Sequence, residues 1–274
     1  MQIIIADKAG YCFGIENAMK MVEDTLANHQ NQSIYTLGDI SHNRQEMDRL
    51  IGRGVVKAET IDEIDHGCVI IRSHGVGKDV IEAAEAKGLE IVNATCPFVR
   101  AMQKKVEDYY KKGYQIVIVG NQEHPEVVGA TGWCNNEAIV INDIKSVENL
   151  KKYDKICVVA QTTIIEANFN KITEALKSKA DEIVIFNTIC SATAERQAAA
   201  AETAKVVEYM IVIGGYHSSN TQKLLDICKT YCKNTCHIET AGELDPNEIK
   251  KYQTIGITAG ASTPDWIVKE VTES

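Results

Sequence analysis

The sequence predicts an α/β protein built on parallel β-sheets. Short runs rich in isoleucine and valine alternate along the chain with segments of helical period, and these runs are continuously apolar. Continuous apolar strands separated by helices are typical of parallel sheets that helices cover on both faces. In chain order the predicted strands are QIIIA, SIYTLG, CVIIRS, QIVIVG, AIVIN, KICVVA, EIVIF, YMIVIGG and TIGITAG.

The helices are predicted from apolar spacing and from start signals. After the first strand, one helix face is formed by Ile15, Ala18, Met19, Val22 and Leu26. In HSSNTQKLL, Ser218 to Asn220 are placed at a helix start. In GASTPDWIV, Pro264 fits the first helical turn, with Ser262 or Thr263 as its cap.

The composition is that of a folded protein. Of the 274 residues, 45% are hydrophobic and 24% are charged, and the formal net charge is −9. No basic cluster stands out, which disfavours binding to nucleic acid or to anionic membranes. No apolar run approaches the ~20 residues needed to span a membrane, and the chain starts on a strand without a basic signal region. The cytoplasm is therefore the expected location.

Two junctions, in each of which an apolar strand-like segment runs into a cysteine, repeat along the chain. IVNATCPFVRAMQ (91–103) and IFNTICSATAERQ (185–197) share Ile, Asn, Cys and the closing Gln at the same relative positions. Cys12 ends the strand and loop IIIADKAGYC in the same manner. The spacing from Cys12 to Cys96 is 84 residues, and the spacing from Cys96 to Cys190 is 94 residues. Length alone suggests about two domains, but this spacing predicts three similar α/β units. Their ranges are 12–95, 96–189 and 190–274, the last completed by the N-terminal strand within 1–11.

The cysteine pattern suggests a metal cluster. Nine cysteines without a signal sequence favour reduced thiols over a disulfide framework. No C-x-x-C pair occurs, so neither a thioredoxin-type redox pair nor a zinc ribbon is supported. Three isolated thiolates at Cys12, Cys96 and Cys190 would suit one 4Fe-4S cluster with three Cys ligands. Such a cluster leaves one open iron, which can act as a Lewis acid toward a substrate oxygen.

Polar loops follow several of the predicted strands, namely RSHGVG, VGNQEHPEV, AQTT, GGYHSSNT and TAGASTPD. In open parallel sheets, ligands bind beyond the carboxyl ends of the strands. These loops offer hydroxyl, amide, imidazole and backbone N–H groups, which suit a phosphate at helix N-termini. Taken singly, each has an ordinary explanation as a helix cap or a surface or core histidine. Their recurrence, together with a cysteine at each unit, predicts a shared central site.

Nine motifs, in order from Gln2 to about Val268, resemble the LytB family of 4-hydroxy-3-methylbut-2-enyl diphosphate reductases. These enzymes catalyse the last step of the methylerythritol phosphate pathway of isoprene biosynthesis. The motifs are GYCFGIENA, SHNRQEMDRL, RSHGV, NATCPFV, HPEVVG, QTT, NTICSAT…RQ, SSNT…L and TAGASTP.

The resemblance implies a pseudo-threefold trefoil of three α/β lobes around a central cavity, with one cluster cysteine per lobe. It implies an oxidoreductase that removes the C4 hydroxyl group of a small allylic diphosphate with two electrons and two protons, giving isopentenyl diphosphate and dimethylallyl diphosphate. The implied electron donor is ferredoxin or flavodoxin. The implied diphosphate-binding residues are His42, His74, His124, Ser218, Ser219, Asn220 and Ser262.

The resemblance also implies the groups that act on the hydroxyl. Glu126 and Thr162 are the implied polar pair that hydrogen-bonds this group and relays protons, and His124 belongs to the same catalytic set. In HPEV, Pro125 fixes the turn, so one loop can present an imidazole to phosphate and a carboxyl toward the hydroxyl oxygen. Without the resemblance, Glu126 would be interpreted as an acidic first-turn residue favoured by the helix dipole.

Two other functions stay open at this point. Another three-lobed iron–sulfur enzyme, of the quinolinate synthase or diphthamide-forming kind, would carry one cysteine per unit but not HPEV, SSNT and TAGASTP together. A non-catalytic iron–sulfur sensor would need a nucleic-acid or partner-binding segment, and none is visible.

The remaining cysteines are interpreted as structural. Cys68 and Cys157 lie inside predicted strands as small hydrophobes, and Cys134 lies in a polar turn. The four-residue spacing of a third group puts its members near one helix face, with Asn234 expected to end that helix; the group is Cys228, Cys232 and Cys236. A metal site there is less favoured than incidental thiols.

Overall fold

A computed structural model of the chain describes residues 1–29 and 32–274. Twelve strands are found in this part of the chain. They are β1 (Gln2–Ile5), β2 (Ile34–Leu37), β3 (Val55–Ala58), β4 (Cys68–Ile71), β5 (Glu90–Asn93), β6 (Gln115–Val119), β7 (Ile139–Ile141), β8 (Tyr153–Ala160), β9 (Ala180–Ile185), β10 (Tyr209–Ile213), β11 (Thr235–Ile238) and β12 (Thr254–Ala259).

Eleven α-helices connect the strands within the same described residues. They are α1 (Phe13–Asn28), α2 (Arg44–Ile51), α3 (Lys78–Ala86), α4 (Pro97–Lys111), α5 (Pro125–Thr131), α6 (Ile144–Glu148), α7 (Glu166–Leu176), α8 (Ser191–Val206), α9 (Ser219–Tyr231), α10 (Pro246–Ile249) and α11 (Asp265–Glu273). Four short 3₁₀ helices complete the connections.

The strands form three four-stranded sheets, with orders β1-β12-β10-β11, β3-β2-β4-β5 and β7-β6-β8-β9. Every strand pair in them is parallel. The predicted α/β class with parallel sheets is therefore confirmed. The N-terminal strand joins the sheet of the last segment, with Gln2 opposite Thr254 and Ile5 opposite Ile257.

Each sheet draws its strands from one of the three predicted ranges. By compactness, however, the chain divides into two units. The first unit comprises 1–16, 41–49 and 191–274 and contains the sheet with β1; the second comprises 17–40 and 50–190 and contains the other two sheets. The division into three units stays a prediction.

Helices cover both faces of the sheet β7-β6-β8-β9 because its strands are apolar on both sides. On β6, Ile116 and Ile118 pack with Val99, Met102 and Val106 of α4. Val117 and Val119, which point the opposite way, pack with α7 through Phe169, Ile172 and Leu176. This alternation is what the period of two along a strand requires, so α4 and α7 lie on opposite faces of the sheet.

Several local predictions are confirmed. In the first helix, Ile15, Ala18, Met19 and Val22 are buried and Leu26 is half-buried. The helix α9 begins at Ser219, and the Ser218 side chain caps it by accepting a hydrogen bond from the backbone N–H of Thr221. Cys68 and Cys157 are fully buried within β4 and β8.

Other local predictions are wrong. α9 ends at Tyr231 with Cys232 at its C-cap, and Cys236 lies on β11, so Cys228, Cys232 and Cys236 do not share a helix face and Asn234 is not the helix end. The N-cap of α11 is Pro264 itself. Cys134 is in a 3₁₀ turn but fully buried, packed on the α4 side of the sheet. The strands β3 and β11 were not predicted, because each is short and carries polar residues.

In the described ranges, no helix combines the length and apolar composition that crossing a bilayer would need.

Candidate active site

The loop that follows β12 forms hydrogen bonds with two predicted site residues of the first unit, Cys12 and His42. Cys12 donates its backbone N–H to the carbonyl oxygen of Ala261 at 3.1 Å. The neighbouring Ser262 donates its Oγ–H to the carbonyl oxygen of His42 at 3.3 Å. Three segments that are far apart in sequence therefore meet at this edge of the sheet. The meeting is tight, since a Cβ atom added to Gly215 would overlap the carbonyl oxygen of His42.

Unpaired polar atoms gather in the segments of the first unit that carry the predicted diphosphate ligands. Asn220 is only 5% exposed, yet neither its Nδ2 nor its Oδ1 has a hydrogen-bond partner among residues 1–29 and 32–274. The same holds for Ser41 Oγ and Asn43 Nδ2, on either side of His42. Buried polar groups in folded proteins nearly always have a partner. These atoms therefore have the capacity to bind a polar ligand.

Asn220 and Ser219 occupy the first turn of α9, a helix of 13 residues. The first four backbone N–H groups of a helix have no partner within the helix, and its N-terminus carries partial positive charge. The N-terminus of a helix can therefore bind an anion even where no positively charged side chain is present. Ser218, Ser219, Asn220, Ser262, His42 and Cys12 all belong to the first unit.

The second unit contains the remaining predicted residues. The rings of His74 and His124 meet edge to face with centroids 5.7 Å apart. His124 is the N-cap of α5, where its Nδ1 accepts the backbone N–H of Glu126 at 3.2 Å. This hydrogen bond requires an unprotonated Nδ1, so the proton of the neutral ring lies on Nε2.

Glu126 and Thr162 form a direct pair. One carboxyl oxygen of Glu126 accepts the backbone N–H of Thr162 at 2.6 Å, and the other lies 2.7 Å from Thr162 Oγ1. Glu126 is 2% exposed. Its burial raises its pKa to about 7, against the lowering effect of the two Thr162 hydrogen bonds. Glu126 does occupy the first turn of α5, as the alternative interpretation has it, and its burial and its hydrogen bonds to Thr162 go beyond what that position requires.

Two of the predicted cluster cysteines are held by backbone hydrogen bonds to residues at or beside the predicted site. Cys190 donates its N–H to the carbonyl oxygen of Thr162 at 3.0 Å, and Cys96 donates its N–H to that of Ser73, next to His74, at 3.0 Å. Cys96 directly precedes α4 and Cys190 directly precedes α8. The backbone therefore links both thiols to the histidine and carboxyl groups of the second unit.

The three predicted cluster cysteines have the character that a thiolate-ligated cluster needs. None is in a disulfide, and Cys12, Cys96 and Cys190 are half-buried, whereas five of the other six cysteines are buried. Each lies immediately before a helix, where an anionic cluster is favoured. In the described part of the chain, no group of three or more His, Cys, Asp or Glu side chains is arranged to hold a metal ion. The shared cluster of Cys12, Cys96 and Cys190 therefore stays a prediction.

Comparison with known proteins gives one consistent result. A profile of the LytB protein family matches residues 3–274. The chain belongs to this family.

The relatives agree with that assignment. The chain is 50% identical over 276 residues to a protein named 4-hydroxy-3-methylbut-2-enyl diphosphate reductase from Caldanaerobacter subterraneus subsp. tengcongensis, covering 100% of this chain and 96% of the relative.

Solved structures of similar enzymes share the fold. A structure described as (E)-4-hydroxy-3-methyl-but-2-enyl diphosphate reductase, the terminal enzyme of the non-mevalonate pathway, has 41% identity and a TM-score of 0.74, covering 100% of this chain and 98% of that one. The E-1-hydroxy-2-methyl-but-2-enyl-4-diphosphate reductase of Plasmodium falciparum has 26% identity and a TM-score of 0.92, covering 99% and 87%.

In this member of the LytB family, sequence reasoning missed one residue that supports the Cys12 loop. Arg196 is 2% exposed, and its guanidinium donates to the carbonyl oxygens of Lys8 and Gly10, each at 2.8 Å. Both carbonyls lie in the loop between β1 and Cys12. The available signal was a lone arginine in SATAERQAAAAETAKV, a helix otherwise rich in alanine.

A second missed group comprises Tyr11, which precedes Cys12 in the chain, and Glu46 and Arg49 of α2. Glu46 is buried and accepts from both Nε and Nη2 of Arg49, at 3.0 and 2.6 Å. Burial, and then the neighbouring Glu46 carboxylate, raise the pKa of Tyr11 far above its ordinary value. Tyr11 therefore stays a neutral hydroxyl beside Cys12 at any physiological pH. The signal for this group was the polar helix RQEMDRLI after His42.

Proposed function

We propose that this chain is a 4-hydroxy-3-methylbut-2-enyl diphosphate reductase that uses an iron–sulfur cluster. The observation that carries the proposal is the Glu126 carboxyl group, which is buried, held by Thr162 and raised in pKa to about 7. Loss of a hydroxyl group requires a proton on the departing oxygen. A carboxyl with a pKa near the working pH is suited to supply it.

Diphosphate binding is assigned to His42, His74, His124, Ser218, Ser219, Asn220 and Ser262. Support comes from the unpaired amide atoms of Asn220 and from the N-terminus of α9. A diphosphate carries several negative charges, and the protein itself has a net charge of −9. Local hydrogen-bond donors therefore have to outweigh the long-range repulsion between the diphosphate and the acidic protein. Hydrogen bonds to a charged group can do so, because they are about twice as strong as hydrogen bonds between neutral groups.

Cys12, Cys96 and Cys190 are assigned as the ligands of one 4Fe-4S cluster. When bound, such a cluster supplies electrons and an open iron that can act as a Lewis acid toward the substrate oxygen. An acidic low-potential carrier such as ferredoxin or flavodoxin is the proposed electron donor. The cytoplasm is the proposed compartment, since nine cysteines outside any disulfide suit reducing conditions.

The chain's own groups carry the proton chemistry of the proposed reaction. Thr162 orients the substrate hydroxyl and the Glu126 carboxyl toward one another. Glu126 gives its proton to the hydroxyl oxygen, so that the C–O bond breaks with release of water. Two electrons enter, and a second proton adds to carbon, giving isopentenyl or dimethylallyl diphosphate. Burial of Glu126 keeps bulk water from the proton that is transferred.

The test is an anaerobic assay of reconstituted protein with the allylic hydroxymethyl diphosphate and reduced methyl viologen, in which both five-carbon products are measured. We expect Glu126→Gln to lower turnover by ~10² to 10⁴, because a positioned general acid contributes that much. The matched control is Glu123→Gln, which removes an exposed carboxylate three residues earlier and should keep wild-type turnover. Wild-type protein that holds its cluster but forms neither product would overturn the proposed function.

A further inference from the structure

The proposed reaction needs two electrons from outside the protein, and the surface beside a cluster ligand is where they must arrive. The three predicted ligands each precede a helix, so the exposed sides of α1, α4 and α8 are the candidate surfaces. These helices differ in charge. α1 has one basic and three acidic side chains, α8 has two of each, and α4 has four basic and two acidic side chains.

The whole protein repels an acidic partner, since its net charge is −9. An acidic carrier therefore needs a local basic surface, because complementary charge raises the association rate and like charge suppresses it. Among the three helices, α4 alone is net positive. In α8, moreover, one of the two basic side chains is Arg196, which is buried.

The outward side of α4, here called the α4 face, consists of Arg100, Ala101, Lys104 and Lys111, all exposed. Phe98 is 40% exposed although it is a large apolar side chain. It lies two residues from Cys96, which is the N-cap of α4.

The charges on this face are accessible. The side chains of Lys104 and Lys111 are 75% and 63% exposed. Their carboxylate partners are Asp108, 3.5 Å from Lys104, and Glu107, 2.7 Å from Lys111, and exposed ion pairs of this kind are weak. Arg100 donates to the carbonyl oxygen of Thr95 at 3.2 Å and forms no ion pair with any carboxylate in the described ranges.

The face also begins beside the redox centre that the proposed function requires. A helix rises about 1.5 Å per residue, so Lys104 lies roughly 12 Å along α4 from Cys96. A partner seated along α4 from its first turn to Lys111 therefore has one end next to a proposed cluster ligand. Arg100 adds a direct connection, because Thr95 immediately precedes Cys96.

We propose that the α4 face is the docking surface for the electron donor, a small acidic one-electron carrier protein. The inference rests on the proposed function. Two donor molecules are each oxidised by one electron per turnover, and these two electrons with two protons reduce one C–O bond to C–H and water. The donor approaches α4 with its acidic side chains toward Arg100, Lys104 and Lys111.

The test compares two ways of supplying electrons to the cluster-loaded enzyme. Turnover is measured with an acidic bacterial ferredoxin kept reduced, and in parallel with reduced methyl viologen, which needs no protein docking surface. The variant Lys104→Glu with Lys111→Glu reverses two exposed charges that are seven residues, or about two turns, apart on one helix side. We expect kcat/KM for ferredoxin to fall on the order of tenfold or more, with a weaker dependence on salt. The viologen-driven rate should stay within twofold of wild type.

The matched control is Lys145→Glu with Lys171→Glu. It makes the same change in net charge on α6 and α7, exposed helices that pack on the opposite face of the same sheet. It should leave the ferredoxin-driven rate near that of wild type. An unchanged rate in the α4 variant, or an equal loss in the control, would overturn the proposal.

A binding measurement separates this proposal from the proposed function. The Kd of oxidised ferredoxin for the cluster-loaded protein is measured by titration at several salt concentrations. We expect salt-sensitive binding by the wild type and at least tenfold weaker binding by the α4 variant. This outcome would support the docking surface even if no isoprenoid product formed. Equal binding by both proteins would reject the docking surface even if the reductase activity were present.

Discussion

Replacing Glu126 with glutamine should make the stability of this protein less dependent on pH. The carboxyl group is 2% exposed and its pKa is raised from 4.5 to about 7, chiefly by burial. Between these two values the folded protein holds a proton that the unfolded chain has released. Stability therefore falls as pH rises from about 4.5 to about 7 and is level above that. Glutamine carries no such proton.

The size of the effect follows from the pKa difference. One pKa unit corresponds to about 1.4 kcal/mol, so the shift of Glu126 corresponds to about 3 kcal/mol. The free energy of unfolding of Glu126→Gln relative to wild type should rise by most of this amount between pH 5 and pH 8. Any pH-independent cost of the substitution, such as an altered hydrogen bond to Thr162, cancels in that comparison.

The assay is urea unfolding of both proteins at pH 5, 6, 7 and 8 under anaerobic reducing conditions. Glu123→Gln, which removes an exposed carboxylate three residues earlier, is the control substitution. Thr162→Val removes a hydrogen bond that favours the charged carboxylate, so it should move the pH-dependent window upward. A Glu126→Gln difference that is constant across this range would refute the argument that burial raises this pKa.

Three further predictions concern the surroundings of the site. After cluster reconstitution, Cys96→Ser should contain less iron per protein than the wild type. Cys236→Ser, which changes another half-buried thiol, should have the iron content of the wild type. Arg196→Ala should lower the free energy of unfolding by about 2 to 4 kcal/mol, because two backbone carbonyls lose a buried donor; an unchanged urea midpoint would contradict this. Gly215→Ala should cost about 1 to 3 kcal/mol and raise the KM for the diphosphate substrate, since the added Cβ displaces the backbone of His42; wild-type stability and KM would count against it.

The main strands and the helix starts of this protein could be predicted from local patterns. The apolar runs QIVIV and YMIVI are buried along almost their whole length, and their continuous apolar composition indicates strands of a parallel sheet. Ser218 also caps α9 through a hydrogen bond three residues away, which its own neighbourhood determines. Where the local signal was weak, as at β3 and β11, prediction failed. The polar residues of TCHI, the sequence of β11, gave no strand pattern. This segment is a strand because it pairs with β10.

The motifs likewise identified candidate site residues, but their chemical state depends on contacts distant in sequence. Glu126 becomes a weak acid because the fold encloses it and brings Thr162, 36 residues away, to both of its oxygens. Arg196 supports the Cys12 loop from 186 residues away. Sequence alone determined which residue types stand at strand ends and helix starts, since those preferences are local. Only the tertiary structure decided which groups lose water and which carbonyls they meet, because desolvation and long-range hydrogen bonds arise when separate segments pack together.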